Sequence, residues 1–168
     1  MKLFKKFYST NKIDNKRTKE DIENTQEIAK KNDVVMFNTN RKHLLCDDSE
    51  INRLILKKYL NLKNITCDEA TDGIDCIDQI KKNGVYDIIW MDIQMPRMNG
   101  FECVKVLRNE YNYDGVIIGL TGYIDQNSIN TALTTGMNHI IGKPINKDIL
   151  YTYVSKYNGV SDYNNVNI

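Results

Sequence analysis

The sequence lacks three features, and each absence excludes a class of protein. No stretch of its 168 residues is apolar enough to span a bilayer. The first ten residues are basic but lack the long apolar stretch of a secretory signal. The formal net charge is only +1, which excludes a uniformly basic nucleic-acid-binding protein. We therefore expect an intracellular, cytoplasmic protein without direct nucleic-acid binding.

The cysteines lack the spacing of a metal site or a disulfide framework. None of the four stands in a CxxC pair, and each lies within an apolar pattern: Cys46, Cys67, Cys76 and Cys103. Such cysteines are typical of small buried hydrophobic residues in a reducing compartment.

Composition divides the chain into three parts. Residues 1–41 are rich in Lys and Asn and poor in large aliphatic residues, which predicts a basic, polar extension that is disordered or partly helical. Its first eight residues would place apolar and Lys side chains on opposite helix faces, so a membrane contact is the alternative for this segment. Residues 42–157 form the predicted domain, and residues 158–168 are expected to be a flexible tail.

Within residues 42–157, short apolar runs alternate with helical patterns. The five strand candidates are Leu44–Cys46, Ile65–Cys67, Asp87–Met91, Val116–Leu120 and His139–Ile141. Apolar residues recur at helical spacing in each of the four intervals and after the fifth run. This order predicts an α/β fold, a doubly wound five-stranded parallel sheet with five helices covering both faces.

Chemically active residue types follow four of the predicted strands. Asp47 and Asp48 follow the first, Asp92 the third, Thr121 the fourth, and Lys143 comes shortly after the fifth. In an open parallel sheet, functional groups gather beyond the carboxyl ends of the strands. Each residue alone would be an ordinary turn residue, but together they predict one site at one edge.

Three carboxylates at one edge must bind a cation or become protonated. Two carboxylates about 4 Å apart repel by roughly 4 kcal/mol at an effective dielectric of about 20. All-oxygen ligands suit Mg²⁺, which also accepts phosphate oxygens, and a nearby Lys adds the positive charge that a phosphoryl group requires. A carboxylate beside Mg²⁺ can itself be a nucleophile. Asp92 is therefore the predicted phosphorylation site, with Met95 and Pro96 shaping an open loop and Asn99 capping the next helix with Glu102.

Four segments carry a resemblance to a known family. The stretches LLCDDSEINRLILKKYL, DIIWMDIQMPRMNGFE, IIGLTGY and GMNHIIGKPI together resemble the receiver domain of two-component response regulators. The resemblance covers about residues 42–157 and implies the flavodoxin-like strand order 2-1-3-4-5, for which a chemotaxis receiver is a known example. The amino-acid sequences of these segments are most similar to those of receivers of hybrid histidine kinases and phosphorelays.

The resemblance implies a role for each acidic residue. Asp92 would be the phosphoacceptor and would also bind Mg²⁺. Asp48 would bind the metal directly, whereas Asp47 would act mainly through water. The backbone carbonyl of Gln94 would complete the protein's contribution to the metal shell.

The resemblance also implies phosphate contacts and partners. Thr121 and Lys143 would contact the phosphoryl oxygens, and the Lys143–Pro144 peptide bond would be cis. The phosphoryl group would come from a histidine kinase or a histidine phosphotransfer protein, and it would switch a face that binds a partner. The downstream target has no signature in the sequence.

Two positions depart from the usual receiver pattern. Receivers often have an aromatic residue three positions before the Lys, where this chain has Ile140; His139 or Tyr123 is the candidate substitute. Asn99 stands where many members have Asp, a mild change for a helix cap. His43 and His139 lack the context of a kinase or phosphotransfer histidine and are interpreted as structural.

Two alternatives remain beside a stand-alone receiver or phosphorelay intermediate. The first is a phosphatase that uses Asp92 as its nucleophile. Such enzymes usually have a second acid two residues later, where this chain has Gln94, so we do not expect enzymatic turnover. The second is a pseudo-receiver that only binds partners. The complete acidic set disfavours it, although Ile140 leaves it open.

Overall fold

The structure, a computed structural model, describes residues 42–158. The expectations for residues 1–41, and for the tail beyond residue 158, lie outside the described residues. The elements follow in this order: β1 (Lys42–Cys46), α1 (Glu50–Asn61), β2 (Thr66–Ala70), α2 (Gly73–Asn83), β3 (Ile88–Asp92), α3 (Gly100–Glu110), β4 (Val116–Thr121), α4 (Gln126–Thr135), β5 (His139–Gly142) and α5 (Lys147–Asn158).

The five strands form one parallel sheet in the order β2-β1-β3-β4-β5. This confirms the predicted fold class and strand order. The chain moves outward from β1 to β2, then crosses back past β1 to β3. The gap between β1 and β3 is therefore where the strand order reverses, the usual position of a site in such sheets.

Each face of the sheet has its own apolar core, since successive strand residues point to opposite faces. In β3, Ile89 and Met91 pack towards α2, α3 and α4, whereas Ile88 and Trp90 pack towards α1 and α5. All five β3 residues are buried, including Asp92. The continuous apolar run that predicted this strand therefore reflects its burial on both faces.

The strand β2 differs from its prediction because it lies at the edge of the sheet. The sequence suggested Ile65–Cys67, but the strand runs from Thr66 to Ala70. Its acidic residues point away from the core: Asp68 pairs with Lys42, and Glu69 pairs with Arg53 and Lys57. An edge strand tolerates charges that a central strand would not, and these charges obscured the pattern.

Local capping fixes where the helices near the site begin. Asn99 accepts the backbone N–H of Glu102, and the Glu102 carboxylate accepts the N–H of Asn99, so the predicted capping box at α3 is present. Asp125 caps α4 by accepting the N–H of Ser128. These caps satisfy N–H groups that a helix start leaves free.

The cysteines are free thiols in the described chain. Cys46, Cys76 and Cys103 are fully buried, as expected for small apolar residues. Cys67 is only half-buried because β2 is an edge strand. Among residues 42–158, no helix has the length and apolar character needed to cross a membrane.

Candidate functional site

The turn after β1 holds one buried and one exposed carboxylate. Asp47 is 1% exposed, and its Oδ1 accepts the Ser49 backbone N–H at 2.9 Å and the Asn52 side-chain amide at 3.0 Å. Asp48, the next residue, is exposed. The β1 end therefore offers a fixed carboxylate and a second one that is open to solvent.

Asp92 is the last residue of β3 and is 5% exposed. Its Oδ1 accepts the backbone N–H of Gln94 at 3.3 Å. The Lys143 Nζ lies 2.8 Å from Asp92 Oδ2 and 2.6 Å from Asp47 Oδ2. Lys143 therefore bridges the ends of β1 and β3 from the far side of β4.

The cluster carries more negative than positive charge. Carboxylate oxygens of Asp47, Asp48 and Asp92 lie within 4.8 Å of one another, and Lys143 is the cation in contact with two of them. Burial raises the pKa of Asp92, although Lys143 opposes this effect. Burial would lower the pKa of Lys143, but its bonds to Asp47 and Asp92 outweigh burial and raise it. Lys143 is therefore positively charged. One lysine does not balance three carboxylates, so binding of a second cation at this cluster is favourable.

The donor set suits a hard divalent cation. Three carboxylates from two strand ends present only oxygen atoms, and Mg²⁺ prefers such ligands while keeping several waters. Asp48 and Gln94 are exposed, which leaves space for those waters. The residues present therefore fit this metal.

The start of α3 is packed directly against the backbone of Asp92. A Cβ on Gly100 would lie 2.3 Å from the Asp92 carbonyl oxygen, and the Gly100 N–H donates to the Ile93 carbonyl at 3.0 Å. A side chain at this position would push α3 away from the strand end. The Asn-Gly pair thus both caps α3 and brings it close to the site.

Thr121 ends β4 at the same edge, and its hydroxyl is used within its own loop. Thr121 Oγ1 donates to the Tyr123 carbonyl at 2.9 Å and accepts the Tyr123 N–H at 3.2 Å. The Thr121 carbonyl accepts the Lys143 backbone N–H at 2.6 Å. The Lys143–Pro144 bond is cis, as the resemblance implied.

The position of His139 excludes it as a substitute for the missing aromatic residue. His139 begins β5, and its ring packs on Tyr153 and Tyr157 with Lys156 Nζ 2.9 Å from its Nε2. Successive strand residues point to opposite faces, so His139 faces α5, whereas Ile140 points to the other face of the sheet. Ile140 packs into the core, where a Cβ on Gly119 would lie 3.5 Å from it. Tyr123, the other candidate, is 72% exposed.

Sequence reasoning missed the residues that hold this site in place. Asn52 contacts both oxygens of Asp47, and Arg53 Nη1 donates to the Asp47 carbonyl at 2.7 Å. Both lie in the quoted stretch DDSEINR, one helical turn beyond the acidic pair, which is the signal that was available. Arg97 pairs with Asp72, a contact across 25 residues that no local pattern reveals.

Comparison with known proteins agrees with this geometry. The sequence model of the response regulator receiver domain matches residues 44–155; the domain limits 42–157 stay a prediction. The sensor protein EvgS of Escherichia coli K12 is 39% identical over 118 residues, which are 70% of this chain and 10% of EvgS. The chain thus spans about a tenth of that relative. Two-component response regulator 24 of Arabidopsis thaliana is 34% identical over 68% of this chain and 82% of that protein.

A solved structure gives the same result. It contains the Saccharomyces cerevisiae histidine phosphotransfer protein Ypd1 and the receiver domain of its downstream response regulator Ssk1. The match has a TM-score of 0.66 and 26% identity, and it covers 70% of this chain and 88% of the other. With the sheet order, the acidic cluster and the family match in agreement, the chain belongs to the response regulator receiver domain family of two-component and phosphorelay signalling systems.

Proposed function

We propose that this receiver is a phosphoacceptor whose Asp92 takes a phosphoryl group in a Mg²⁺-dependent reaction. The observation that carries the proposal is the arrangement around Asp92. Its carboxylate ends a buried strand, lies 2.8 Å from the Lys143 ammonium and shares its surroundings with the carboxylates of Asp47 and Asp48. A nucleophilic carboxylate, a fixed cation and a set of oxygen ligands are what phosphoryl transfer to an acid requires.

Each acidic residue has a distinct proposed role toward the metal. Asp48 and Asp92 bind Mg²⁺ directly, together with the backbone carbonyl of Gln94. Asp47, whose oxygens already accept bonds from Asn52 and Lys143, acts mainly through water. When bound, Mg²⁺ neutralises charge on the phosphoryl oxygens and lowers the repulsion that Asp92 must overcome.

Phosphoryl transfer from a phosphohistidine to Asp92 needs no further reactant. An Asp92 carboxylate oxygen attacks the phosphorus of a phosphohistidine, and the P–N bond breaks as the O–P bond forms. The bonding pair stays on the ring nitrogen, and the partner leaves as neutral imidazole because its other nitrogen already holds a proton. Lys143 compensates the charge on one phosphoryl oxygen, and Thr121 contacts another after releasing the Tyr123 carbonyl.

The proposed donor is a histidine kinase or a histidine phosphotransfer protein. The Ypd1–Ssk1 structure contains a receiver similar to this one beside such a protein. In this chain, Ile51, Leu54 and Ile55 of α1 are 68%, 53% and 43% exposed. A cleft of about 70 Å³ next to them is lined in part by Ile55, Asp47 and Lys143. We propose that this apolar surface beside the acceptor is where the donor protein binds.

The proposed output is a change of the face formed by α4, β5 and α5. Phosphorylation adds strong acceptor oxygens near Thr121, so the Thr121 hydroxyl exchanges the Tyr123 carbonyl for the phosphoryl group. Ile124, in the same loop, contacts β5: a Cβ on Gly142 would lie 3.3 Å from its Cδ1. Movement of Thr121 therefore transmits to β5 through Ile124.

The test is labelling by acetyl phosphate with Mg²⁺, followed by intact-protein mass. Wild type should gain one phosphoryl group, and Asp92→Asn should gain none. Asp78→Asn, a change at an exposed aspartate on α2, is the matched control and should label normally. Continuous release of inorganic phosphate would indicate the phosphatase alternative, no labelling of wild type the pseudo-receiver, and labelling of Asp92→Asn a different acceptor.

A further inference from the structure

A buried carboxylate and an exposed guanidinium join two loops next to the site. Asp72 precedes α2 and its side chain is 3% exposed, whereas Arg97 lies in the loop between β3 and α3 with its side chain 57% exposed. Arg97 Nε donates to Asp72 Oδ2 at 2.6 Å, and Arg97 Nη2 donates to the same oxygen.

Both oxygens of Asp72 are occupied, so the pair has one geometry. Oδ1 caps α2 by accepting the N–H groups of Ile74 at 2.9 Å and Asp75 at 3.0 Å. Oδ2 accepts both bonds from the Arg97 guanidinium. A carboxylate held by a helix start is a fixed anchor, and the planar guanidinium aligns with it through two nitrogens.

The backbone at Arg97 depends on this anchor. Arg97 has φ 62°, in the left-handed region that side-chain-bearing residues rarely adopt. The Met98 N–H donates to the Pro96 carbonyl at 2.7 Å, which closes a three-residue turn around Arg97. Such a conformation persists only where the surroundings hold it, and the bonds to Asp72 supply that restraint.

The same turn is clamped to α2 from its other side. The Gly73 N–H donates to the Met98 carbonyl at 3.1 Å, and a Cβ on Gly73 would lie 2.6 Å from Met98 Cγ. The loop also begins at Asp92 and ends where Gly100 touches the Asp92 carbonyl. The path of the chain between Asp92 and α3, which includes Gln94, is therefore set by its attachment to α2.

We propose that Arg97, held by Asp72, is a positioning residue that keeps the loop after Asp92 in the conformation that binds the divalent cation. The inference rests on the proposed function, because it assigns Arg97 a role in positioning the Gln94 carbonyl, a proposed metal ligand. Arg97 touches neither metal nor phosphate. It acts through the backbone that carries Gln94.

The test depends on whether Mg²⁺ affinity rises or falls when Arg97 is replaced. Removing a cation near a metal site should by itself strengthen Mg²⁺ binding through electrostatics, whereas loss of positioning should weaken it. We expect Arg97→Gln to weaken Mg²⁺ binding about 10-fold, the lower end of the effect of residues that orient metal ligands. Calorimetric titration of the unphosphorylated protein with MgCl₂ measures this. Unchanged or tighter binding overturns the inference.

Three further variants separate positioning from general damage. Arg97→Gly adopts the positive φ without cost but lacks the bonds to Asp72, so it should lose less affinity than Arg97→Gln. Asp72→Asn keeps an oxygen that caps α2 but removes the charged partner, and it should match Arg97→Gln. The double variant Asp72→Asn/Arg97→Gln should be no worse than either single change. Additive losses, or a larger affinity loss in Arg97→Gly than in Arg97→Gln, would overturn the role of the pair.

Labelling rates give a second readout. At subsaturating Mg²⁺, Arg97→Gln should label with acetyl phosphate more slowly than wild type, and saturating Mg²⁺ should restore the rate. Lys81→Gln, which removes another cation from an ion pair on α2, should behave as wild type. If wild type neither binds Mg²⁺ nor labels, the proposed function fails; if wild type does both and Arg97→Gln is indistinguishable from it, only this inference fails.

Discussion

The two ends of the parallel sheet handle charge in opposite ways. At the carboxyl end, the carboxylates of Asp47, Asp48 and Asp92 lie within 4.8 Å of one another, and the Lys143 ammonium contacts those of Asp47 and Asp92. Near the amino end of β1, the Asp68 carboxylate has a cation and a hydroxyl of its own: Lys42 Nζ at 3.0 Å and the Tyr86 hydroxyl at 2.6 Å. One end has unbalanced charge, and the other has charges with assigned partners.

Arg108 shows the amino-end arrangement most fully. Its guanidinium donates to four acceptors, the carbonyls of Tyr113, Gly115 and Gly136 and the side-chain oxygen of Asn138. It thereby joins the end of α3, the loop before β4 and the turn after α4. Polar groups at this end hold the fold together, while those at the other end are left available for a ligand. We therefore expect substitutions at the amino end to lower the free energy of unfolding, and substitutions at the carboxyl end to lower Mg²⁺ affinity.

Arg108→Ala should have the largest effect, and on stability. Three carbonyls would lose a charged donor, and partly buried acceptors without partners are costly, so we expect a loss of about 3 kcal/mol in the free energy of unfolding. Urea denaturation measures this value. Lys105→Ala, an exposed change on the same helix, is the control and should cost little. A loss for Arg108→Ala no larger than for Lys105→Ala would contradict the comparison.

Asp48→Ala should have the next largest effect, and on metal binding rather than stability. An octahedral Mg²⁺ site cannot easily replace a lost carboxylate, so affinity should fall about 10- to 100-fold, as for other changes that disturb metal ligands. Metal-free stability should not fall, since the Asp48 side chain is exposed and its removal lessens repulsion with two other acids. Calorimetric titration with Mg²⁺ checks the first statement and denaturation the second.

The control for this prediction is Glu50→Ala, which removes an exposed acid two residues away at the start of α1. It should lower Mg²⁺ affinity only slightly, by weak long-range electrostatics. Equal losses in Asp48→Ala and Glu50→Ala would mean that the general charge of this edge, and not a ligand at Asp48, determines binding.

The sequence predicts the carboxyl end well because its signals are local. Apolar runs that end in Asp47, Asp92 and Thr121 follow from burial of the strands, and parallel pairing brings their ends to one edge. The capping box at Asn99 is likewise a three-residue pattern. Both fold and candidate site could therefore be predicted without knowledge of any long-range contact.

The parts that sequence reasoning missed depend on distant contacts. In the sequence, Arg97 has the pattern of an ordinary loop residue. Its structural role becomes evident only from its contact with Asp72, 25 positions away. The limits of β2 were wrong because its charges pair with residues on β1 and α1. His139 does not substitute for the aromatic residue because its side chain packs on α5, on the opposite face of β5 from Ile140.

The pH dependence of stability should distinguish the buried aspartates Asp92 and Asp72. We expect this effect to be smaller than those of Arg108→Ala and Asp48→Ala. Burial raises the pKa of Asp92, so the folded state takes up a proton more readily than the unfolded state does. Stability therefore falls as pH rises from the ordinary aspartate range of about 4 through the raised pKa. Asp92→Asn should thus increase stability at pH 7, and the gain should disappear below the ordinary range. Loss of the Asp92 charge should not leave Lys143 without an ion pair, because Lys143 also contacts Asp47.

Asp72 should behave in the opposite way. Burial would raise its pKa, but the Asp75 N–H and Arg97 outweigh burial and lower it. Its contribution to stability is therefore present above the ordinary aspartate range and is lost as pH falls through the folded pKa. Asp72→Asn should cost stability at pH 7 and little in acid. Urea denaturation at several pH values measures both variants, and parallel pH profiles would contradict the assignment.

The lifetime of the phosphoryl group should show the smallest effect. Hydrolysis needs a water in line with the Asp92 phosphoryl group, and two side chains are placed to influence it: Gln94, beside the acceptor, and Tyr123, which is 72% exposed. Neither is a charged group suited to orienting water. Gln94 can hold a water less firmly than a shorter amide can, and Tyr123 is bulky enough to cover the approach. Since positioning supplies most of the catalysis in phosphoryl transfer, we expect slow self-dephosphorylation.

The measurement is the decay of phosphorylated protein in Mg²⁺ for wild type and for Gln94→Asn/Tyr123→Glu. The double variant should decay faster by several-fold, up to about 10-fold, because it supplies a shorter amide and a charged group. Tyr123→Phe keeps the ring and the backbone bonds between Tyr123 and Thr121, so it should decay like wild type. If wild type already decays as fast as the double variant, these side chains do not set the lifetime, and the open carboxyl end controls metal binding and transfer but not the duration of the signal.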